Sequence, residues 1–325
     1  MLRDILREKK CFKLVCGAGN EDIEEVEKLV ALYAKAGANY FDLSARPEVV
    51  EAAYNGLQRV IPLDKQKDYY FNVSVGIKGD PHASKAFITQ ELCTACGICK
   101  SVCIQQSVNQ EDDTFVINNK RCIGCGTCVK NCPVSAIRLF SENKKLDEVL
   151  PPLIKLGIDS IELHVVSDDT AKIYEQWDII NRLFDGVLSI CTDRSHTGDI
   201  ELLNRLNRML KFRKEYSTII QADGAPMSGC DDENSTTLQA IATAQIVERA
   251  KLPVFLILSG GTNSKTTELA KVFDVKANGI AIGSYGRMIV RKYIERSDFF
   301  ENESIFNEAL KIASNLVEKS LKNLG

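Results

Sequence analysis

Eight short β-rich runs, amphipathic helical patterns between most of them, and one oversized gap filled by cysteine runs predict an α/β chain. They indicate a TIM (β/α)8 barrel with a cysteine-rich module inserted after the third strand. The length of 325 residues is enough for a full core. A net charge of −3 gives no overall pull toward nucleic acid or an anionic membrane. No apolar run approaches membrane-span length, so no membrane insertion is expected; the longest, LPVFLIL, reads as a buried strand. The opening MLRDILREKK lacks the apolar centre of a signal peptide, so a cytoplasmic location is expected. In that compartment twelve cysteines point to metal or redox chemistry rather than disulfides.

CFKLVC (11–16) is the first strand. The helix after it, over about 21–36, would put Ile23, Val26, Leu29, Val30 and Tyr33 on one face, with Asn20 as cap and Gly37 as its end. NYFDL (39–43) is the second strand, and Pro47 stands at a favoured first helical position. YYFNVSVG (69–76) is the third. Roughly eighty residues then pass before DSIELHV (159–165), far beyond ordinary loop length. Pro151 and Pro152 are expected to break a helix begun at Leu146, and Ser167 or Asp168 to cap the one after the fourth strand. DGVLSIC (185–191), STIIQA (217–222), LPVFLIL (252–258) and NGIAIG (278–283) complete the eight. A doubly wound sheet is the rival, but no Gly-x-Gly-x-x-Gly follows the first strand. The expected division is a barrel over 1–83 and 142–325 and an insertion over 84–141, beside the barrel mouth.

The insertion carries Cys93, Cys96, Cys99 and Cys103, then Cys122, Cys125, Cys128 and Cys132 followed by Pro133. This is the spacing of bacterial two-cluster ferredoxins, in which the fourth cysteine of each run ligates the other cluster. Two 4Fe-4S clusters are therefore expected, one on Cys93, Cys96, Cys99 and Cys132, the other on Cys122, Cys125, Cys128 and Cys103. Gly97, Gly124 and Gly126 allow the tight turns this needs. Zinc can use Cys-x-x-Cys pairs, but two four-cysteine runs of this kind are hard to explain as zinc. Ile104 replaces the proline usual after the first run, which removes no ligand.

In the barrel, turning the apolar strand positions toward the helices leaves Lys13, Asp42, Asn72, Ser74, Glu162, His164, Ser189, Cys191, Gln221 and Asp223 inside. Such a polar ring surrounds either a ligand or a self-satisfied network, such as Lys13 with Asp42 or Glu162. Lys13, Asp42, Glu162, His164 and Asp223 are the candidate catalytic residues. Gly260, Gly261 and Thr262 after strand seven, and Gly283 and Ser284 after strand eight, lie where many TIM barrels bind phosphate. FMN or another phosphate-bearing ligand fits that expectation, although strand-to-helix turns favour glycine in any case. Of the remaining cysteines, Cys16, Cys191 and Cys230 fall on the same face, as a third metal site or as ordinary buried thiols.

The chain resembles the light-dependent-period (LdpA) family of iron–sulfur proteins. The likeness runs through FKLVCGAGNEDI, the cysteine module, QADGAPMSG (221–229), GGTNSKT (260–266) and GSYGRMI (283–289), with a more compact first cysteine run here. The resemblance implies a two-cluster redox protein that reports redox state to partner proteins, in cyanobacteria the circadian input apparatus. It also implies a functional loop of Asp223, Gly224, Pro226, Met227 and Ser228. Three functions compete. One is electron transfer or redox sensing through a partner protein. Another is an oxidoreductase fed by the clusters, with FMN or a phosphorylated small molecule in the barrel. A weaker third is a lyase or isomerase with structural clusters. Substrate, partner and oligomeric state are not encoded in these patterns.

Overall fold

The computed structural model describes residues 1–17, 19–76, 84–141, 145–194, 197–224 and 234–324, with the backbone alone at Thr236. The chain begins with α1 (Leu2–Arg7), β1 (Cys11–Val15), α2 (Ile23–Lys35), β2 (Tyr40–Ser44), α3 (Pro47–Val60) and β3 (Tyr70–Val75). Smaller elements follow: β4 (Ser84–Ile88), α4 (Ile98–Ser101), β5 (Val108–Glu111), β6 (Thr114–Ile117), α5 (Thr127–Asn131) and β7 (Ile137–Ser141). The longer pattern resumes with α6 (Leu146–Lys155), β8 (Ser160–His164), α7 (Thr170–Leu183), β9 (Val187–Thr192), α8 (Asp199–Leu210) and β10 (Thr218–Asp223). It ends with α9 (Asn234–Arg249), β11 (Phe255–Ser259), α10 (Thr266–Val272), β12 (Gly279–Ile282), α11 (Ser284–Ile294) and α12 (Glu303–Lys322).

Strands β1, β2, β3, β8, β9, β10, β11 and β12 pair in parallel in that order, and β12 returns to β1. This is the expected closed (β/α)8 barrel, and the small elements lie between its third and fourth strands. Alternation decides which side chains face which way. Leu14, Phe41, Leu43, Val73, Ile161, Leu163, Leu188 and Ile190 point outward into one apolar layer shared with the surrounding helices. Inside, the composition changes along the barrel axis. Cys11, Tyr40, Tyr70, Val187, Ile219 and Phe255 form an apolar floor at the strand starts, and α1 plugs it with Leu2 and Leu6. Polar side chains succeed them toward the strand ends. In the inserted segment β4 pairs antiparallel with β7, and β5 with β6.

Four local expectations are corrected. The cap of α2 is Asp22, whose side chain accepts from the Glu25 N–H, because Asn20 is turned inward to donate to the Cys16 carbonyl. Ile23 therefore falls on the outer face and is 48% exposed. Asp169, not Ser167 or Asp168, caps α7, accepting from the Lys172 N–H; Ser167 instead accepts from the Asp169 N–H. Finally, α6 runs through Pro151 and Pro152. Its buried Leu146, Leu150 and Leu153 lock one face into the barrel's outer layer, and that packing outweighs the two missing N–H donors.

Candidate functional site

The module cysteines gather in two groups. Cys93, Cys96, Cys99 and Cys132 line one cavity of about 320 Å3, together with Ile88, Phe115 and Ile137. Cys103, Cys122, Cys125 and Cys128 line another of about 360 Å3, with Ala86, Val108 and Ile117. Each group takes three sulfurs from one run and the fourth from the other. Gly97 and Gly126 begin α4 and α5 at φ +75° and +73°, so the chain can bend around each space. Backbone N–H groups of Ala86, Ser107 and Ala136 point at the sulfurs of Cys122, Cys103 and Cys132 from 3.4, 3.3 and 3.3 Å. Four thiols, an apolar wall and amides aimed at sulfur suit a cubane iron–sulfur cluster. Burial pushes the Cys128 thiol up to about 12, so metal must displace a proton there.

The module is fastened to the barrel mouth by charged side chains. Lys85 donates to the carbonyls of Gly19 and Cys122, and the Glu21 N–H donates to the Lys120 carbonyl. Arg121 bonds Glu25 at 3.2 Å and Glu295 at 3.0 Å. From α11, Arg287 reaches Gln105 and Arg291 reaches the Ile104 carbonyl, both at 3.1 Å.

Beneath this interface lies a barrel cavity of about 670 Å3. Asp42, Glu162, His164 and Asp223 line it from below, and Gly260, Gly261, Thr262, Gly283 and Ser284 from the rim. Nine of the ten predicted catalytic and cofactor-binding residues thus meet at one space; the tenth, Lys13, lies under it. Lys13 is buried and donates to Glu162 at 2.7 Å and Gln221 at 2.9 Å, with Asp42 at 3.8 Å. Burial alone would depress the Lys13 ammonium, but Asp42 and Glu162 hold it above its ordinary value. A cation held this firmly is an electrostatic anchor and a poor Schiff-base nucleophile. Burial would raise the Glu162 carboxyl, but Lys13 outweighs it and keeps it well below its usual range. For Asp42 burial wins and the pKa rises, although Ser74 and Asn72 both donate to it.

At the rim, Gly260 and Gly261 have φ of +65° and +74°. A Cβ on Gly260 would collide with the Asp223 carboxylate and stand 2.6 Å from the Gly224 nitrogen. The glycine therefore permits a close approach of the two loops as well as a turn. Thr262 is turned to the Ala281 carbonyl, and Ser284 opens α11. Five residues of the lining went unnoticed in the sequence: Val15, Gly17, Ile123, Ser259 and Arg287. Arg287, in the GSYGR segment, lies in the cavity wall only 2% exposed, donating to the Cys16 carbonyl and within reach of Ser284. Its spacing of three from Ser284 on a helix was the available signal. Ile123, next to ligand candidate Cys122, also lines the cavity. Pro226, Met227, Ser228 and Cys230 lie outside the described residues.

Two family models and several known proteins are similar to this chain or to part of it. The family model for the light dependent period A C-terminal domain matches residues 153–319, and that for the 4Fe-4S binding domain matches 115–138. Light dependent period A of Synechococcus elongatus is 29% identical over 300 residues, covering 87% of this chain and 82% of that protein. The delta subunit of NADH-dependent phenylglyoxylate dehydrogenase from Aromatoleum evansii is 33% identical over 61 residues, 19% of this chain and 66% of that one. A tryptophan synthase structure from M. tuberculosis aligns over 100% of this chain and 97% of its own, with 10% identity and a TM-score of 0.47. No described helix is long and apolar enough to cross a membrane. The chain is an iron–sulfur redox protein, and it belongs to the light dependent period A C-terminal domain family.

Proposed function

We propose that the protein holds two 4Fe-4S clusters and transfers or senses electrons through them, coupled to a ligand site in the barrel mouth. One cluster would sit on Cys93, Cys96, Cys99 and Cys132, the other on Cys103, Cys122, Cys125 and Cys128. On this reading residues 84–141 are the cluster domain, and 1–83 with 142–325 the barrel. A redox partner protein would exchange electrons at the module, inside the cytoplasm. The observation that carries the reading is Ile123, which follows Cys122 and also lines the barrel cavity, so one cluster lies against the space where a ligand would bind. Clusters pass electrons singly, which suits either a sensor or a cofactor that accepts them one at a time.

A second reading is an oxidoreductase with FMN or a phosphorylated small molecule in that cavity. It is favoured by the buried Arg287 guanidinium beside Gly283, Ser284 and the start of α11, a combination that suits a phosphate. Anaerobic purification with joint measurement of iron, sulfide and acid-released flavin or phosphate compounds tests both. About eight irons per chain are expected. A released flavin selects the oxidoreductase. Cys132→Ser should remove the same cluster as Cys93→Ser, and Cys103→Ser the same as Cys122→Ser. Grouping by sequence run instead would sink the assignment.

A further inference from the structure

Glu162, His164 and Cys191 stand together at the base of the barrel cavity. The β8–β9 ladder pairs His164 with Cys191 directly, and Glu162 lies two residues earlier on the same face of β8. Each offers one metal-binding atom, and the three atoms lie within 4.8 Å of one another. His164 Nε2 is 3.3 Å from Glu162 Oε1. Two donor atoms on one tetrahedral ion, each about 2.0–2.1 Å from it, are separated by about 3.4 Å.

The surroundings hold these donors in place. Glu162 Oε2 accepts from Lys13 at 2.7 Å and Ser189 at 2.8 Å, and Oε1 accepts from Gln221 at 3.0 Å. Such outer contacts fix the orientation of a ligating carboxylate. All three residues are buried, yet all three border the cavity, which leaves one direction open. A carboxylate and an imidazole could form a hydrogen-bonded network by themselves. A thiol adds little to such a network, because sulfur is a weak donor and acceptor. As a metal ligand it adds a strong bond. Metal binding would release the Cys191 proton, so that a thiolate and the Glu162 carboxylate both face the ion.

We propose that Glu162, His164 and Cys191 form a mononuclear divalent-metal site, best matched to zinc, with its fourth position open to the barrel cavity. One nitrogen, one oxygen and one sulfur suit this borderline-soft ion, and three protein ligands with a free position mark a site that binds water or substrate. None of the eight module cysteines takes part, so its failure would leave the iron count untouched.

The test uses the anaerobically purified, cluster-loaded full chain. One equivalent of Zn(II) is added, the sample is desalted, and zinc and iron are quantified. Zinc K-edge absorption then reads the shell around zinc alone. About one zinc per chain is expected, with one sulfur near 2.3 Å and nitrogen or oxygen neighbours near 2.0 Å. Cys191→Ser should lose the sulfur and His164→Gln should keep it, each weakening zinc retention by at least about tenfold with iron unchanged. If one variant does not fold, the wild-type shell and the other variant still decide. No retained zinc, a four-sulfur shell from zinc in the module, or unchanged retention in both variants would overturn the proposal.

Discussion

Asp159 shows how much a single burial decision can cost. It precedes β8, is half-buried, and accepts the Phe71 N–H at 2.8 Å. Burial pushes its carboxyl from the ordinary 3.8 up to about 6, against the lowering effect of that hydrogen bond. The folded state therefore prefers the protonated form. Its contribution to stability is full below about pH 4 and is lost as pH rises through about 6. Two units correspond to about 3 kcal/mol, and partial exposure reduces that to about 1–2 kcal/mol. Asp159→Asn keeps an oxygen to accept the N–H. The variant should be about 1–2 kcal/mol more stable than wild type at pH 7 in urea unfolding, with the gap closing toward pH 4. A gap equal at both pH values would mean burial of charge is not the cause. Lys13 shows the opposite case, a buried charge made tolerable by Glu162 and Asp42. That network was legible, because period two fixes which side chains share the interior. Arg287 was legible only in part, through its spacing of three from Ser284; its further partners were not. Its partners come from the β1 end and from Gln105 in the module, and no linear spacing brings those together.

Among the elements, strands were easier to place than helix ends. A strand is marked by apolar β-formers that must all be buried, whereas a cap depends on which of several neighbouring polar side chains is free to turn back. Asn20 and Asp22 illustrate this: both can cap, and the bond from Asn20 back to the Cys16 carbonyl leaves the task to Asp22. Packing likewise overrode the prolines of α6. The turn after β11 makes a sharper claim. Gly260 has φ +65°, and its Cα faces the Asp223 carboxylate and the Gly224 amide. Gly260→Ala must pay for the left-handed backbone and also part the two loops, about 1–3 kcal/mol together. The expected result is a lower urea midpoint and loss of any phosphate compound released by acid from wild type, with iron content unchanged. Retention of full stability would show that this turn is not constrained as described.

At the scale of the whole molecule, the insertion and the barrel share a boundary built from the loops that carry the module cysteines. Lys85 ties the Cys122 carbonyl to Gly19, Arg121 just before Cys122 joins α2 to Glu295, and Gln105 and Ile104 just after Cys103 receive arginines from α11. Cysteine spacing announced the module, but not this face, since an insertion joined at two ends can be docked in many orientations. The consequence is mechanical. On the proposed ligation, iron–sulfur bonds would hold the Cys103 and Cys122 loops in shape, since folding and metal binding share one free energy in small metal modules. Removing iron with a chelator under anaerobic conditions should therefore loosen more than the module. Hydrogen exchange is expected to rise within 84–141, and also over 19–25 and the first turns of α11, where the bridging residues attach. Strands β9 and β10 carry none of these bridges and should keep their protection. If the rise stops at the module boundary, the clusters are held beside the barrel without being coupled to it. If it reaches 19–25 and α11, the state of the clusters is transmitted to the rim of the cavity, which is the physical requirement for either sensing or cluster-fed catalysis.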